Sequence, residues 1–381
     1  MTRTNSLVSS RLSGFSAFLL RSTAALALFA LAACAPSKQT TSPTPTTTNT
    51  YAPAPDAPAN SGPIVESVEP WTYNGRPGRI IRTAHYRVFT TQPDTVLNDR
   101  VPLFIEDALT EYRSSLSKPG QPLPEPELKL DTYILRTRAD WTLLTRQLTG
   151  EQAELYLRIP RGGYAFGGKA ILFDIGTRDT LAIVAHEGWH QYTQRAFRHP
   201  LPIWLEEGIA TYMEGHKWVG TGGATPQFLP WCNVERFDQL RRAEAQKRLL
   251  PLDKLLESAP QDLMNRYTDD ALIYYAQVWA LTHFLAEGAG GKYRAGLADL
   301  LADAASGTVD RRIGAVLGPA YANRILMNRR GPGVFVAYFN QDLAEASREY
   351  AEFVEQLVQA GSRGPIVDGR SPIAAPAPIG R

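Results

Sequence analysis

Residues 181–192 read LAIVAHEGWHQY and contain the motif on which the interpretation of the whole chain depends. Apolar residues fill the turn before the motif and aromatic residues follow, which predicts a helix that is apolar nearly all round and therefore buried. His186 and His190 stand at positions i and i+4, so they lie on one helix face, one turn apart, and can reach one small cation. Glu187 comes next round the helix, where it can face a water molecule without ligating the cation. Buried histidines and glutamates need partners, and a metal ion supplies one.

Zinc is the metal that this pattern favours, because it accepts nitrogen ligands and makes bound water acidic when one coordination position stays open. A catalytic zinc site needs a third protein ligand, and the next acidic residues are Glu206 and Glu207, in the segment WLEEGIATY at residues 204–212. Pro200 and Pro202 end the first helix and let the chain turn back. An antiparallel helix pair would then place a carboxylate opposite the histidines. The spacing alone does not choose between Glu206 and Glu207.

The pairing of H-E-x-x-H with E-G-x-A resembles the gluzincins, the peptidase MA clan that includes thermolysin-like enzymes and the aminopeptidase-N family. The closest overall likeness is to uncharacterised bacterial peptidase-MA-like proteins, over residues 85–285, and only these two motifs are specific. In the clan, the glutamate before the glycine is the third ligand. The resemblance therefore implies one Zn²⁺ held by His186, His190 and Glu207, with Glu187 as the general base.

Three further residues acquire expected roles from the same resemblance. Glu214, seven residues after the third ligand, is expected to be a hydrogen-bond partner of a ligand histidine. Glu206 is then expected to be an exposed or rim acid. The stretch YAQVWALTHFL at residues 275–285 resembles the family helix whose tyrosine stabilises the tetrahedral intermediate, which makes Tyr275 the candidate and Tyr274 its rival.

The expected activity is zinc-dependent hydrolysis of peptide bonds in a peptide or protein substrate. Residues 162–166 (GGYAF) occupy the place of the aminopeptidase amine-recognition motif but lack its acidic residue, so an endopeptidase is favoured. A glycine-flanked edge strand there could pair with an extended peptide. One alternative is a catalytically inactive protein of the same fold that serves as a binding or scaffold module. A second alternative is that the motif is coincidental and no metal binds.

The N-terminal residues 1–33 have the features of a secretory signal, with three arginines, no acidic residue and an apolar run at residues 24–30. The sequence LAAC that follows resembles the lipobox of bacterial lipoprotein signals, in which the cysteine, here Cys34, receives a diacylglycerol. No aspartate follows Cys34 as an inner-membrane retention signal. The resemblance implies a lipid-anchored protein of the bacterial cell envelope, at the outer membrane and facing the periplasm. An ordinary secretory signal is the alternative.

The composition excludes several other classes of protein. A hydrophobic fraction of 44% and a charged fraction of 20% are typical of a globular chain. The formal net charge of +2, without a long basic block, argues against nucleic-acid binding. Two cysteines exclude a disulfide framework, and Cys232 is expected to be either a buried or a reactive thiol, of which the buried one is favoured.

Strand patterns dominate the first half of the mature chain and helical patterns the second, which predicts an α+β fold with a mixed sheet first and a mostly helical half afterwards. Together with the resemblance, this implies a thermolysin- or aminopeptidase-like catalytic domain. One strand is predicted over residues 80–91.

The expected divisions are a signal peptide at 1–33, the lipidated cysteine with a disordered Pro/Thr-rich tether at 34–63, an α/β part at 64–176, a helical zinc-binding part at 177–360 and a disordered tail at 361–381.

Overall fold

The structure is a computed structural model that describes residues 64–93, 95–264 and 268–373. The predicted signal peptide, Cys34, the predicted tether up to residue 63 and the last part of the predicted tail lie outside these ranges. Within them, no helix has both the length and the apolar character needed to cross a membrane.

Six strands of the N-terminal part form one mixed sheet. Along the chain they are β1 (Ser67–Tyr73), β2 (Arg76–Arg82), β3 (Tyr86–Thr90), β4 (Leu130–Leu135), β5 (Gly163–Phe166) and β6 (Lys169–Phe173). Their order in the sheet is β1-β2-β3-β4-β6-β5, with β3, β4 and β6 parallel and the remaining neighbours antiparallel. The strand β5 therefore lies at one edge, as expected for residues 162–166.

The chain is mostly helical after β6, apart from a hairpin of β7 (His216–Val219) and β8 (Thr225–Phe228). The helices of the described ranges are α1 (Thr95–Ser114), α2 (Arg138–Thr149), α3 (Ala153–Tyr156), α4 (Thr177–Ala196), α5 (Ile203–Met213), α6 (Val234–Ala245), α7 (Leu252–Glu257), α8 (Pro260–Met264), α9 (Thr268–Glu287), α10 (Arg294–Ser306), α11 (Val309–Leu317), α12 (Pro319–Asn328), α13 (Gly333–Tyr338), α14 (Leu343–Leu357) and α15 (Arg363–Asp368). The predicted α+β order of a mixed sheet followed by a helical half is confirmed.

The sheet carries a different core on each face, because neighbouring residues of a strand point to opposite sides. Ile134 and Leu172 pack with α1 and α4 in the larger core, whereas Leu135 and Ile171 pack with α2 in a smaller one. The helix α4 follows β6, the strand next to the edge strand β5, and runs through the main core. This burial agrees with the apolar pattern around the H-E-x-x-H motif.

Two glycines let the helices that carry the motifs approach their neighbours closely. A Cβ atom at Gly188 of α4 would lie 2.5 Å from the hydroxyl of Tyr112 on α1. A Cβ atom at Gly208 of α5 would lie 2.4 Å from Thr282 Oγ1 and 2.8 Å from the backbone oxygen of Val278, both on α9. Larger residues at these positions would push the helices apart. The glycines of both motifs therefore have a packing role.

Three predictions are corrected by the structure. Residues 80–91 do not form one strand: β2 ends at Arg82 and β3 begins at Tyr86, with a turn closed by a hydrogen bond from the backbone N–H of Tyr86 to Thr83 Oγ1. The predicted disordered tail is ordered at α15, because Ile366 is buried in the core. Cys232 is half-buried rather than buried.

Candidate metal centre

The helices α4 and α5 pack against each other and bring His186, His190 and Glu207 together. Glu207 Oε2 lies 3.5 Å from His186 Nε2 and 3.6 Å from His190 Nε2. The three side chains are at most 1% exposed. Sequence spacing left Glu206 and Glu207 as alternatives for the third group, and the structure places Glu207 between the two imidazoles.

The distances between these atoms fit a bridging cation better than direct hydrogen bonds. Ligand atoms about 2.1 Å from a tetrahedral zinc ion are about 3.4 Å apart. Glu207 Oε2 has nearly this separation from both Nε2 atoms, whereas a hydrogen bond to a carboxylate is usually about 2.7–2.9 Å long. The group formed by His186, His190 and Glu207 can therefore hold a metal ion.

Each histidine of the group is oriented by a second carboxylate on its other ring nitrogen. His186 Nδ1 lies 2.9 Å from Glu214 Oε1, and His190 Nδ1 lies 3.1 Å from Glu206 Oε1. A carboxylate that accepts a hydrogen bond from Nδ1–H leaves Nε2 as the ring atom that can ligate a cation. The expected contact of Glu214 with one of the two histidines is present in the structure, at His186.

Glu206 does not occupy the exposed or rim position expected for it. It is 6% exposed, and its Oε1 accepts hydrogen bonds from His190 Nδ1 and, at 2.7 Å, from Thr193 Oγ1. Adjacent residues on a helix point about 100° apart, so Glu206 and Glu207 reach the same histidine from two sides. The prediction of an exposed acid is therefore wrong.

Glu187 lies beside this group with its carboxylate fully buried. Among the described residues, neither of its carboxylate oxygens has a hydrogen-bond partner. Burial raises the pKa of Glu187 to about 7, although the nearby imidazoles of His186 and His190 oppose this change. A carboxyl group with such a pKa can accept and release a proton near neutral pH, as a general base must.

The buried carboxylate of Glu187 should cost stability in the metal-free protein. One pKa unit corresponds to about 1.4 kcal/mol, so a rise from 4.5 to about 7 costs about 3 kcal/mol once the group is ionised. Because the folded state holds the proton more tightly, this cost is absent below pH 4.5, grows up to about pH 7 and is constant above it. We expect metal-free Glu187→Gln to be more stable than the unmodified chain by about this amount at pH 8.

Urea unfolding of both metal-free proteins at pH 4 and pH 8 would measure this difference. Equal stabilities at pH 8 would show that the Glu187 carboxylate is already compensated without a metal.

The charges of the metal-free group are balanced by protons. Burial would raise the pKa of Glu207, but the imidazoles of His190 and His186 outweigh it and lower that pKa to about 2. Burial would lower the pKa of His190, but Glu207 and its neighbours outweigh it and raise that pKa to about 10. The pKa of His186 is raised for the same reason. A divalent cation would replace these protons, so its binding releases protons and weakens as the pH falls.

A model of the family "Protein of unknown function (DUF1570)" matches residues 180–306. The matched segment contains His186, Glu187, His190 and Glu207. It also contains the orienting carboxylates Glu206 and Glu214 and the candidate Tyr275. No curated protein matches the chain.

The two candidate tyrosines on α9 have different surroundings. The ring of Tyr275 lies 6.3 Å from that of His186, centroid to centroid, and burial raises its pKa well above the ordinary value. The hydroxyl of Tyr274 points to the backbone oxygen of Ser258, at 3.4 Å. Tyr275 therefore lies beside the group as a protonated phenol, whereas Tyr274 has a partner in another part of the core.

The remaining histidines of the chain lie outside the group. His85 pairs with Glu106, and His216 Nδ1 contacts the backbone oxygen of Glu214. His283 stacks on Trp231 with ring centroids 3.6 Å apart. These are packing and capping contacts within the fold.

Sequence reasoning missed the residues that support the two orienting carboxylates. Asn233 Nδ2 donates to Glu214 Oε2 at 2.7 Å, and Arg236 NH2 lies 3.2 Å from Glu214 Oε1. Arg329 NH2 lies 3.7 Å from Glu206 Oε2. No motif marks these residues, because Asn233 and Arg236 follow His190 by more than 40 positions and Arg329 by more than 130, and only the fold brings them to the site.

Proposed function

We propose that the chain is a zinc-dependent peptidase of the gluzincin type with a thermolysin- or aminopeptidase-like catalytic domain. The observation that carries the proposal is the placement of Glu207 Oε2 at 3.5 and 3.6 Å from the Nε2 atoms of His186 and His190. Two nitrogen donors and one carboxylate, with Glu187 at the next helix position, form the donor set of a catalytic zinc site. One Zn²⁺ is the proposed cofactor.

Bound zinc would supply a Lewis acid that polarises the scissile carbonyl and makes a water molecule more acidic. Glu187 would accept the proton of that water and donate it to the leaving amine. Glu214 and Glu206 would keep His186 and His190 oriented through the hydrogen bonds to their Nδ1 atoms. The phenol of Tyr275 would donate a hydrogen bond to the carbonyl oxygen as negative charge develops on it.

The edge strand β5 supports a peptide as the substrate. It pairs with β6 on one side and packs against α4. An edge strand can add an extended peptide through backbone hydrogen bonds, which here requires the groups that bury Gly163, Tyr164 and Ala165 to move. The sequence GYAF of β5 contains no acidic residue to bind a free amino terminus, and this favours an endopeptidase.

The proposed location is the bacterial cell envelope, with a lipid on Cys34 as the anchor and the folded part facing the periplasm from the outer membrane. The sequence LAAC at residues 31–34 supports it, as does the absence of an aspartate after Cys34. We propose no nucleic-acid partner, because the net charge is only +2.

The depth of the site favours a second candidate function. Glu187 and Glu207 are 0% exposed and His190 is 1% exposed, so a peptide reaches them only after covering segments move. A lipoprotein that holds zinc without turnover, as a binding or scaffold module, also fits this burial.

Metal analysis followed by a peptidase assay on the full-length chain in detergent separates the candidates. We expect about one zinc per chain, cleavage of casein, loss of cleavage after chelation and recovery with Zn²⁺. We also expect zinc to raise the unfolding free energy, by about 2.7 kcal/mol at a hundredfold excess over Kd, since it binds only the folded state.

Zinc binding without cleavage of casein or of a broad peptide library would favour the scaffold. Absence of bound metal, with no stabilisation by added zinc, would contradict both candidates.

A further inference from the structure

Four carboxylates surround the two histidines of the candidate metal centre: Glu187, Glu206, Glu207 and Glu214. Each is at most 7% exposed. A single divalent cation would balance only two of the four negative charges when all are ionised. Uncompensated charge is costly inside a protein, so further positive groups are needed nearby.

Arg236 of α6 supplies one positive group, behind Glu214. Its side chain is 1% exposed, and its NH2 group donates to Glu214 Oε1 at 3.2 Å. Asn233 holds the other oxygen of the same carboxylate, at 2.7 Å. The guanidinium carbon of Arg236 also lies 5.2 Å from the ring centroid of Tyr275. Arg236 thus contacts the partner of His186 and the candidate oxyanion donor.

Arg329, which follows α12, supplies a second positive group, behind Glu206. Its NH2 group lies 3.7 Å from Glu206 Oε2, and its side chain is 16% exposed. Its Nε donates to the backbone oxygen of Leu201 at 2.7 Å, and its backbone oxygen accepts from the N–H of Ile203 at 2.9 Å. Arg329 is therefore tied to the connection between α4 and α5 as well as to Glu206.

The two arrangements are equivalent in chemistry although they come from different parts of the chain. In each, an imidazole contacts a carboxylate through Nδ1, and an arginine contacts the same carboxylate. The two guanidinium groups and a bound divalent cation would together carry four positive charges. These would balance the four negative charges of the ionised carboxylates. Arg329 lies outside the segment matched by the family model, so the C-terminal helices complete the centre.

We propose that Arg236 and Arg329 are positioning residues of the metal centre, each fixing the carboxylate that orients one ligand histidine. The inference rests on the proposed function, since it requires that the centre binds a metal. Neither arginine is placed in contact with the metal or with substrate. Each acts through the orientation of an imidazole, and its loss should change both the affinity and the geometry of the bound metal.

Co²⁺ binding to the full-length chain tests the inference, because the visible spectrum of Co²⁺ depends on ligand geometry. We expect Arg329→Gln to weaken Co²⁺ binding about tenfold, the lower end of the range for groups that orient ligands, and to alter the spectrum. Arg329→Lys should restore part of the affinity. Arg236→Lys keeps the buried positive charge but loses the planar guanidinium with its several donors. It should therefore weaken Co²⁺ binding about as much as Arg329→Gln does.

Two matched controls separate this effect from a general loss of surface charge. Arg330 is adjacent to Arg329 but pairs with Asp262, and Arg241 lies on α6 but pairs with Asp238. Arg330→Gln, matched to Arg329→Gln, and Arg241→Lys, matched to Arg236→Lys, should bind Co²⁺ as the unmodified chain does.

Wild-type affinity and spectrum in both Arg329→Gln and Arg236→Lys would overturn the inference and leave the proposed function standing. If the unmodified chain bound neither Co²⁺ nor Zn²⁺, the proposed function would fail and the inference with it.

Discussion

Glu187→Gln should abolish peptide hydrolysis and leave metal binding intact. Glutamine has the shape of glutamate but cannot accept a proton from water or pass one to the leaving amine, and general acid–base catalysis typically contributes about 10²- to 10⁴-fold. We therefore expect kcat on a casein-derived peptide to fall by about that factor, with KM little changed. Among the described residues, the Glu187 carboxylate forms no hydrogen bond with His186, His190 or Glu207. The number of zinc ions bound per chain should therefore remain that of the unmodified chain.

Glu111 provides a matched control on α1. Burial raises its pKa to about 7 as well, but it lies outside the histidine group. Glu111→Gln should therefore keep full activity. Retained hydrolysis in Glu187→Gln would remove Glu187 from the mechanism, and loss of zinc together with activity would show that the substitution disturbs the centre itself.

The part of the site that lies within one helix could be predicted from the sequence. The spacing of His186 and His190 is set by the helix itself, and the apolar residues around them indicated that α4 is buried. The same reasoning located α5, since Pro202 precedes its first residue. Such inferences need only local geometry, which the sequence determines directly.

The rotation of one helix against another could not be predicted in the same way. Whether Glu206 or Glu207 faces the histidines depends on how α5 packs against α4 and α9, and this in turn depends on contacts such as that of Gly208 with α9. The resemblance to gluzincins favoured Glu207, but it left Glu206 at the rim. The structure instead uses Glu206 as the partner of His190.

The predictions for residues 80–91 and for the C-terminal tail were wrong for a different reason. Residues 80–91 contain β-branched and aromatic residues without glycine or proline, so no turn signal divides β2 from β3. The turn is made instead by the side chain of Thr83. Likewise, the tail rich in glycine and proline gave no sign that Ile366 is buried against the core.

A comparison of Glu207→Gln with Glu206→Gln would separate a metal ligand from a residue that orients one. Both residues lie on α5 at adjacent positions and are at most 6% exposed. Glu207→Gln removes the anionic group that lies 3.5 and 3.6 Å from the two Nε2 atoms, and we expect it to abolish measurable zinc binding. Glu206→Gln leaves these three donors in place and removes only the charge behind His190, so we expect zinc affinity to fall by about 10- to 100-fold.

Competition with a chromophoric chelator measures both affinities. Circular dichroism of the metal-free variants would show that each has folded. The expected order follows from charge as well as geometry, since an amide oxygen in place of Glu207 leaves two imidazoles and a neutral donor, a set that zinc binds far more weakly than one containing a carboxylate. The reverse order, with Glu206→Gln losing all zinc and Glu207→Gln retaining it, would mean that α5 presents the other carboxylate to the metal and that the centre described for Glu207 is incorrect.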